Sequence, residues 1–567
     1  MCANESTPST QAKMRREWSF KDLYFAALTG VIGSGWIFGS YYTAGVAGPA
    51  SIVSWIVGGV FILVIALTWA EVSGEIPIAG GVARYSMYTH GNLTGAFMAW
   101  SSLLPAIATP AVEAIAVISV VQSIISFSKG TLVLVNSAGL PTLPGFVLAL
   151  LIALFFFWIN YIGVRKVAYV NNAVGYIKLV ILPLAIIFLI AAGLSAGLGR
   201  NVTTPSFAPY GFGPVFTALP ATGVIFAYLG FRQPIDMAAE SRNPQKDLWK
   251  AIVAVVGTTF VIYTLLQVAF IFGLQWNSAA GGTLGADVGD WHALNTTLSM
   301  SSMPFFFEFL GLGFGAVGSI IILGGIIGPS ADTNQYYAST ARIIFGLGRE
   351  GYFPNGVTRI HQKYRVPVVG LLITLIVTIV LLVMGVAGSL VSSVGGAWTA
   401  LTSIITSTLV FAYMAAPLSL PAIRKNYADL RRPFKTPIYK VLSPVAFVIG
   451  ALLVYWGAGS LITSSDPYGG YILILIMLLG GIIVWAYKSE KSPFDFNGGL
   501  WAIVFLVFNI ALLALGEYGL NLLPLPWDWV TDIVAALIFY YWSFKSSLPK
   551  EEIKSRIDRA LSTPESE

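Results

Sequence analysis

Lys178 is the residue whose chemical type fits its surroundings least. It lies within residues 167–190, a stretch that is otherwise almost wholly apolar and long enough to cross a membrane as a helix. At about 1.5 Å of rise per residue, Lys178 lies about 16 Å from the beginning of that stretch, near the middle of a hydrocarbon core about 30 Å thick. Ionisable groups at that depth are costly and by default mark an ion or proton pathway. A lysine that gains and loses a proton there could couple the protein to a pH gradient.

Acidic residues within the predicted apolar helices are the natural partners of this lysine. Glu113 and Asp332 are candidates for a second proton site. A different interpretation is that Lys178 stays permanently charged because it pairs with a buried acid such as Glu113. No histidine or cysteine falls within a predicted span, which argues against a membrane-embedded enzyme and against a metal site.

Two of the apolar helices are predicted to be broken. The first contains three glycines within residues 30–35, and each glycine weakens a helix by about 1 kcal/mol relative to alanine. In the sixth, Gly230 and Pro234 flank the charged Arg232. Irregular backbone at membrane depth is tolerated only where it lines a cavity enclosed by protein, and matching breaks in two halves of a chain indicate an inverted-repeat transporter. The alternative is that these glycines serve close helix packing.

Composition sets the class of the protein. Of 567 residues, 56% are hydrophobic and 10% are charged, and the mean hydropathy is +0.77. Soluble proteins carry about 25% charged residues, so the chain is predicted to be an all-α polytopic membrane protein. Fourteen transmembrane helices are predicted, at residues 21–48, 50–77, 95–127, 145–162, 167–193, 214–241, 247–274, 304–332, 367–387, 395–417, 438–462, 469–488, 498–516 and 526–544.

Basic residues fall almost entirely in alternate connections between these helices. The positive-inside rule therefore predicts that both termini are cytoplasmic.

The net charge of +6 is scattered over short loops, which does not indicate nucleic-acid binding. The absence of a Gly-Lys dipeptide excludes a Walker phosphate loop. The predicted organisation is a cytoplasmic tail (1–20), a ten-helix transport core (21–417), a cytoplasmic loop (418–437), four peripheral helices (438–544) and a cytoplasmic C-terminal tail (545–567).

An ordered set of short motifs resembles one known family. The motifs are Ile32-Gly33-Ser34-Gly35, Pro77-Ile78-Ala79-Gly80-Gly81, Asn160 to Arg165 with Lys178 downstream, Phe226 to Phe231, and Arg432 to Pro437. In this order they are similar to the amino acid–polyamine–organocation (APC) transporters. The resemblance implies the LeuT-type fold, a five-plus-five inverted repeat with discontinuous helices 1 and 6. It also implies that Lys178 bridges first-helix carbonyls near residues 29–32 and eighth-helix groups near residues 329–332.

The broken helices suit the two charges of an amino acid. Freed N–H groups around Ser34, Gly35 and Trp36 should take its carboxylate, and freed carbonyls near Ile32 and Phe226-Ala227 should take its ammonium. The resemblance implies the same arrangement, with Phe226 as an aromatic lid. The candidate substrate-binding residues are Ile32, Gly33, Ser34, Gly35, Phe226, Ala227, Tyr228, Gly230 and Arg232.

Arg232 departs from the family pattern, since many relatives carry an acidic residue at this point. A guanidinium fork facing the cavity suits a second carboxylate, which predicts aspartate or glutamate as substrate. Alternatively, Arg232 pairs with Asp236 four residues later, and both hold if Asp236 orients the arginine.

The sequence thus predicts a proton-coupled amino acid symporter of the cell membrane that imports an acidic amino acid by alternating access. The alternatives are an amino acid/amine exchanger and a transporter-like amino acid sensor. The expected partners are the substrate, protons and the lipid bilayer, with no cofactor, metal or nucleic acid. The oligomeric state is left open.

Overall fold

The computed structural model describes residues 13–136, 139–276, 286–294, 308, 312, 315–391, 397–490, 496, 498–563 and 565. Residues 1–12 of the predicted N-terminal tail lie outside this part of the chain. So does the predicted beginning of the eighth span, residues 304–314, apart from Glu308 and Leu312. The described residues fold as a bundle of α-helices joined by short connections and 3₁₀ turns.

The helices follow the predicted order. Those of the first half are α1 (Phe20–Val31), α2 (Gly35–Ala47), α3 (Ser51–Glu75), α4 (Tyr85–Phe127), α5 (Leu143–Tyr161), α6 (Val164–Ser195), α7 (Gly213–Ala221), α8 (Val224–Tyr228), α9 (Gln233–Asp236) and α10 (Pro244–Gly273). Those of the second half are α11 (Gly315–Arg349), α12 (Val368–Val391), α13 (Ala397–Tyr413), α14 (Ala415–Asn426), α15 (Tyr439–Gly459), α16 (Gly469–Ser489), α17 (Leu500–Leu515), α18 (Trp527–Lys545) and α19 (Lys550–Ser562).

Length and apolar composition identify the membrane-spanning helices. Within the described residues nine helical stretches meet both criteria, and a tenth forms if α7 is joined to the stretch Val224–Asp236, which is bent from it by 56°. One of the nine, Gly35–Glu75, contains both α2 and α3. The polytopic all-α class is therefore confirmed, whereas the count of fourteen spans stays a prediction.

One sequence-based helix boundary was wrong. The third helix begins at Tyr85 rather than at residue 95, and Gly91 interrupts it with φ 84° and ψ −175°. A residue without a Cβ adopts such an angle at little energetic expense, so glycine permits a kink here. The sequence-based prediction began the helix after this kink, whereas the helix in the structure begins before it. As a result His90, predicted to lie in a loop, lies within α4 and is buried.

Both predicted interruptions are present. Residues 32–34 separate α1 from α2 without helical structure. In the sixth helix the sharp bend lies at Thr222–Gly223, before the predicted position, and residues 229–232 form a 3₁₀ turn. A Cβ built on Gly230 would lie 1.7 Å from the carbonyl oxygen of Gly30. The two interruptions therefore touch backbone to backbone, and glycine is needed at this crossing.

The described ends of the chain meet at one end of the bundle. The Met14 N–H donates to the Glu565 carbonyl oxygen over 3.1 Å, and Trp18 pairs with Ser241. The C-terminal helix α19 docks at the same end, where Arg556 donates to the Met87 carbonyl oxygen. We call this end the tail face; it comprises residues 14–18, Arg84, residues 240–250, residues 424–436 and α19.

Replacing Gly230 by alanine tests the crossing of the two broken helices. Because the added methyl group would overlap the Gly30 carbonyl, we expect Gly230→Ala to destabilise the fold by about 1–3 kcal/mol. The change should appear as a lower midpoint of thermal unfolding in detergent. Gly257→Ala is the matched control, since a Cβ at Gly257 in α10 meets no atom within 4 Å. Equal midpoints for the two variants would contradict the described contact.

Candidate functional site

Lys178 on α6 reaches the interruption between α1 and α2. Its side chain is 4% exposed, and its Nζ donates to the carbonyl oxygens of Thr29 (3.1 Å), Ile32 and Gly328 (3.2 Å). The three protons of an ammonium thus match three main-chain acceptors, two on the first helix and one on α11. In the described part of the chain no carboxylate lies within 4.0 Å of this nitrogen. Direct pairing with Glu113, one of the alternatives, is therefore not seen.

Two buried carboxylates lie against the same interruption. The Ser34 hydroxyl donates to Glu113 Oε1 over 2.8 Å. A Cβ on Gly33 would come within 2.3 Å of Asp332 Oδ2 and 2.9 Å of Glu113 Oε1, so glycine leaves room for both acids. Among the described residues the second oxygens, Glu113 Oε2 and Asp332 Oδ1, have no hydrogen-bond partner. Such acceptors suit a proton or the ammonium group of an amino acid.

A tyrosine that sequence reasoning missed joins the two broken helices. The Tyr263 hydroxyl on α10 contacts the carbonyl oxygens of Val31 (2.8 Å) and Ala227 (3.2 Å). These carbonyls, with that of Ile32, belong to the set expected to receive the substrate ammonium. In this conformation Lys178 donates to Ile32 instead, and the single hydroxyl proton of Tyr263 is shared between Val31 and Ala227. A tyrosine in an apolar helix gives no sequence signal of such a role.

Arg232 is fully buried and bound within the protein. Its Nε donates to Asp236 Oδ2 over 2.8 Å, and its two terminal nitrogens donate to the Ser102 carbonyl (3.1 Å) and hydroxyl (2.7 Å). The i, i+4 pairing that the sequence left open is thus present. Ser102 on α4 is a second partner that the sequence did not indicate. Contact of Arg232 with a second substrate carboxylate stays a prediction.

The structure brings together most of the predicted site residues. Gly35 packs on Ala227, since a Cβ on Gly35 would lie 2.8 Å from the Ala227 Cβ. The cluster at the two interruptions comprises Ile32, Gly33, Ser34, Gly35, Ala227, Gly230, Glu113, Lys178 and Asp332. Tyr228 instead donates to the Trp55 carbonyl oxygen on α3, over 3.4 Å. Phe226 is buried in α8, and its function as a lid stays a prediction.

A separate ionic cluster lies at the tail face, around Arg84. Arg84 lies between Glu350 and Glu565, with 2.7 Å from its Nη1 to Glu565 Oε1. Burial would raise the pKa of the Glu350 carboxyl, but Arg84 beside it holds that pKa below its ordinary value. The Tyr88 hydroxyl also donates to Glu350 Oε1, over 2.6 Å. This network links the 77–84 connection, the end of α11 and the C-terminal segment.

The chain is similar to known proteins over most of its length. Residues 19–478 match the family model described as amino acid permease. The chain belongs to the amino acid permease family. It is 30% identical to the glutamate/serine transporter AimA of Bacillus subtilis (strain 168) over 552 residues, which cover 96% of each chain. It is 26% identical to the aspartate-proton symporter of the same organism, over 96% of this chain and 99% of that protein.

More distant similarity extends to other amino acid carriers. The branched-chain amino acid permease BcaP of Bacillus subtilis is 24% identical over 85% of this chain and 95% of its own. The predicted resemblance to the APC transporters is thereby confirmed. This permease is a multi-pass membrane protein of amino acid transport and not an enzyme.

Tyr263→Phe tests the link between the two broken helices. The variant loses the hydroxyl but little volume, so the carbonyls of Val31 and Ala227 lose a donor. We expect amide hydrogen exchange in residues 28–36 and 224–232 to become about five- to tenfold faster, as the loss of a hydrogen bond worth about 1 kcal/mol implies. Tyr24→Phe, which removes a contact to Thr258 on the same helix α10, is the control. Unchanged exchange in both segments would contradict the assigned contacts.

Proposed function

We propose that this permease is a proton-coupled symporter that imports an acidic amino acid by alternating access. The proposal includes a ten-helix core of two inverted five-helix repeats, four peripheral helices and therefore fourteen spans. It places the protein in the cell membrane with both termini, and hence the tail face, in the cytoplasm. The domain boundaries are those predicted from the sequence, at residues 20, 417, 437 and 544.

The observation that carries the proposal is the set of three carbonyls around Lys178. The charged ammonium holds Thr29, Ile32 and Gly328 together because it donates three charge-assisted hydrogen bonds. A neutral amine has two protons and no charge, so it holds these carbonyls far more weakly. Proton release therefore loosens the contact between the end of α1 and α11. In alternating access one part of a transporter moves against another around the site at the interrupted helices, and a loosened contact there would permit such a motion.

The two acids beside Gly33 complete the proposed proton site. Glu113 and Asp332 lie in electrostatic contact with each other and with Lys178. Two adjacent buried carboxylates repel each other when both are charged, so the pair favours sharing one proton. With Lys178 charged, one ionised and one protonated carboxyl leave the cluster neutral. Glu113 and Asp332 are accordingly proposed as the second proton site.

The acidic substrate is supported by Arg232 and by the relatives. Of the relatives described above, one is a glutamate/serine transporter and another is an aspartate-proton symporter. In this protein Asp236 accepts from the Arg232 guanidinium, while the two other acceptors of the guanidinium are the neutral carbonyl and hydroxyl oxygens of Ser102. A substrate carboxylate can replace these neutral acceptors because a hydrogen bond between two oppositely charged groups is stronger. Asp236 would keep the arginine oriented meanwhile.

Lys178→Met tests the proposed coupling. A thioether carries no proton and donates to no carbonyl. We therefore expect the accumulation of labelled aspartate in proteoliposomes under an imposed pH gradient to fall about tenfold or more, which is the factor that the loss of one charge-assisted hydrogen bond implies. Lys166→Met, which removes an exposed lysine from the same helix, should accumulate aspartate as the unchanged protein does.

Further arms separate the alternatives. Lys178→Arg keeps a permanent charge and should bind aspartate without gradient-driven accumulation, which covers the case in which Lys178→Met does not fold. Counterflow of labelled aspartate is also measured without a pH gradient. If its rate is equal in all variants and a pH gradient never drives uptake, the exchanger is favoured. Full gradient-driven uptake by Lys178→Met would refute coupling through this residue.

Arg232→Lys tests the substrate class. The variant keeps the charge next to Asp236 but loses the planar fork, so we expect the apparent affinity for aspartate to fall about tenfold, while that for serine changes little. Arg342→Lys is the control, because Arg342 is equally buried and pairs with Glu240 at the tail face. If aspartate and serine transport change in parallel, or if neither changes, Arg232 does not select the second carboxylate.

A further inference from the structure

We propose that the tail face carries a binding site for a phosphate-bearing anion, apart from the amino acid site. A pocket of about 760 Å³ opens there, a volume within the range of small-molecule sites. Five cationic side chains line it: Arg16, Arg242, Lys246, Lys250 and Arg431. Nothing in the transport mechanism above uses this pocket.

The cations reach the pocket from three separate parts of the chain. Arg16 precedes α1, residues 242–250 lead into and form the first turns of α10, and Arg431 belongs to the connection between α14 and α15. A topological preference for basic residues on one side of the membrane explains which end of the bundle holds them. It does not explain why residues this far apart in sequence surround one concave space. Convergence on a pocket is what a ligand site requires.

The positive charge in this pocket is only partly balanced by the protein, since Asp247 interacts electrostatically with Lys246 and Lys250 and leaves an excess of cations. Within the described ranges no carboxylate lies within 4.0 Å of the side-chain nitrogens of four of the five cations, all except Arg16. One acid, Glu565, is among the lining residues. Its carboxylate already accepts from Arg84 Nη1 (2.7 Å) and from the Ala79 N–H (2.8 Å). An external anion would therefore supply the missing negative charge.

The start of α10 adds to this positive potential. Residues 243–246 line the pocket and form the N-terminus of a 30-residue helix, whose dipole favours an anion. Pro244 has no N–H and the N–H groups of Lys246 and Asp247 donate to the Asn243 carbonyl oxygen, so the contribution of this helix is its dipole rather than a set of open donors. Beside them the half-buried Trp249 stacks on Phe434, with 5.2 Å between ring centroids. The pocket thus combines a cationic side with an aromatic wall. A phosphate ester, with several charged oxygens on an organic group, matches both.

Two sources offer this chemistry, a free phosphate ester and the headgroup of an anionic lipid. The experiment uses the full-length protein and the double variant Arg242→Ala/Lys246→Ala. The matched control is Arg165→Ala/Lys166→Ala, which removes the same two charges from exposed positions outside the pocket. Inorganic pyrophosphate is titrated in detergent while the thermal midpoint is followed, because binding to the folded state raises it. Native mass spectrometry then counts phosphatidylglycerol against phosphatidylcholine retained by each variant.

We expect the pocket variant to bind pyrophosphate at least tenfold more weakly than the control, or to lose a retained phosphatidylglycerol that the control keeps. The first result identifies a free phosphate ester, and the second identifies a lipid headgroup. Arg431→Ala changes a different segment of the chain and should weaken binding of the same probe. It replaces the double variant in the test if the double variant does not fold. If the pocket variants and the control bind both probes alike, the cations serve topology alone and the site does not exist.

Discussion

The constraint on which this structure depends is that main-chain carbonyls freed at membrane depth must find donors. An unsatisfied backbone group in hydrocarbon costs several kcal/mol, so a helix broken there survives only when other parts of the protein supply the missing hydrogen bonds. Here Lys178 on α6 and Tyr263 on α10 supply them. Both donors come from helices that pack against the broken one. The irregular backbone and the side chains that stabilise it are therefore inseparable.

The same constraint explains why the site contains charge of both signs. A lysine can satisfy three carbonyls only while it is protonated, and its charge must be offset nearby. Glu113 and Asp332 lie close enough to do this, and Gly33 leaves room for both carboxylates. The Arg232–Asp236 pair on the sixth helix is a buried ion pair. Charges of opposite sign thus lie near one another in the protein interior, in direct contact at Arg232 and without direct contact at Lys178.

Sequence alone predicted the parts of this site that contrast with their surroundings. Lys178 is conspicuous among apolar residues, and glycine clusters mark interruptions because glycine is a poor helix former. Tyr263 and Ser102 could not be found in this way, since such residues are common in transmembrane helices and their roles arise from contacts between distant parts of the chain. The bend at Thr222–Gly223 and the kink at Gly91 depend on tertiary packing. The helix α19 was predicted only as a tail, because its docking cannot be read from local polarity.

Helix α10 runs from one polar region of the protein to another. It begins at Pro244, beside the basic pocket, and Tyr263 lies 19 residues further on, about 28 Å along the axis at 1.5 Å per residue. Over this distance the helix contains no proline and is not interrupted. One continuous helix therefore joins the basic pocket of the tail face to the phenol that contacts both broken helices at the centre of the protein.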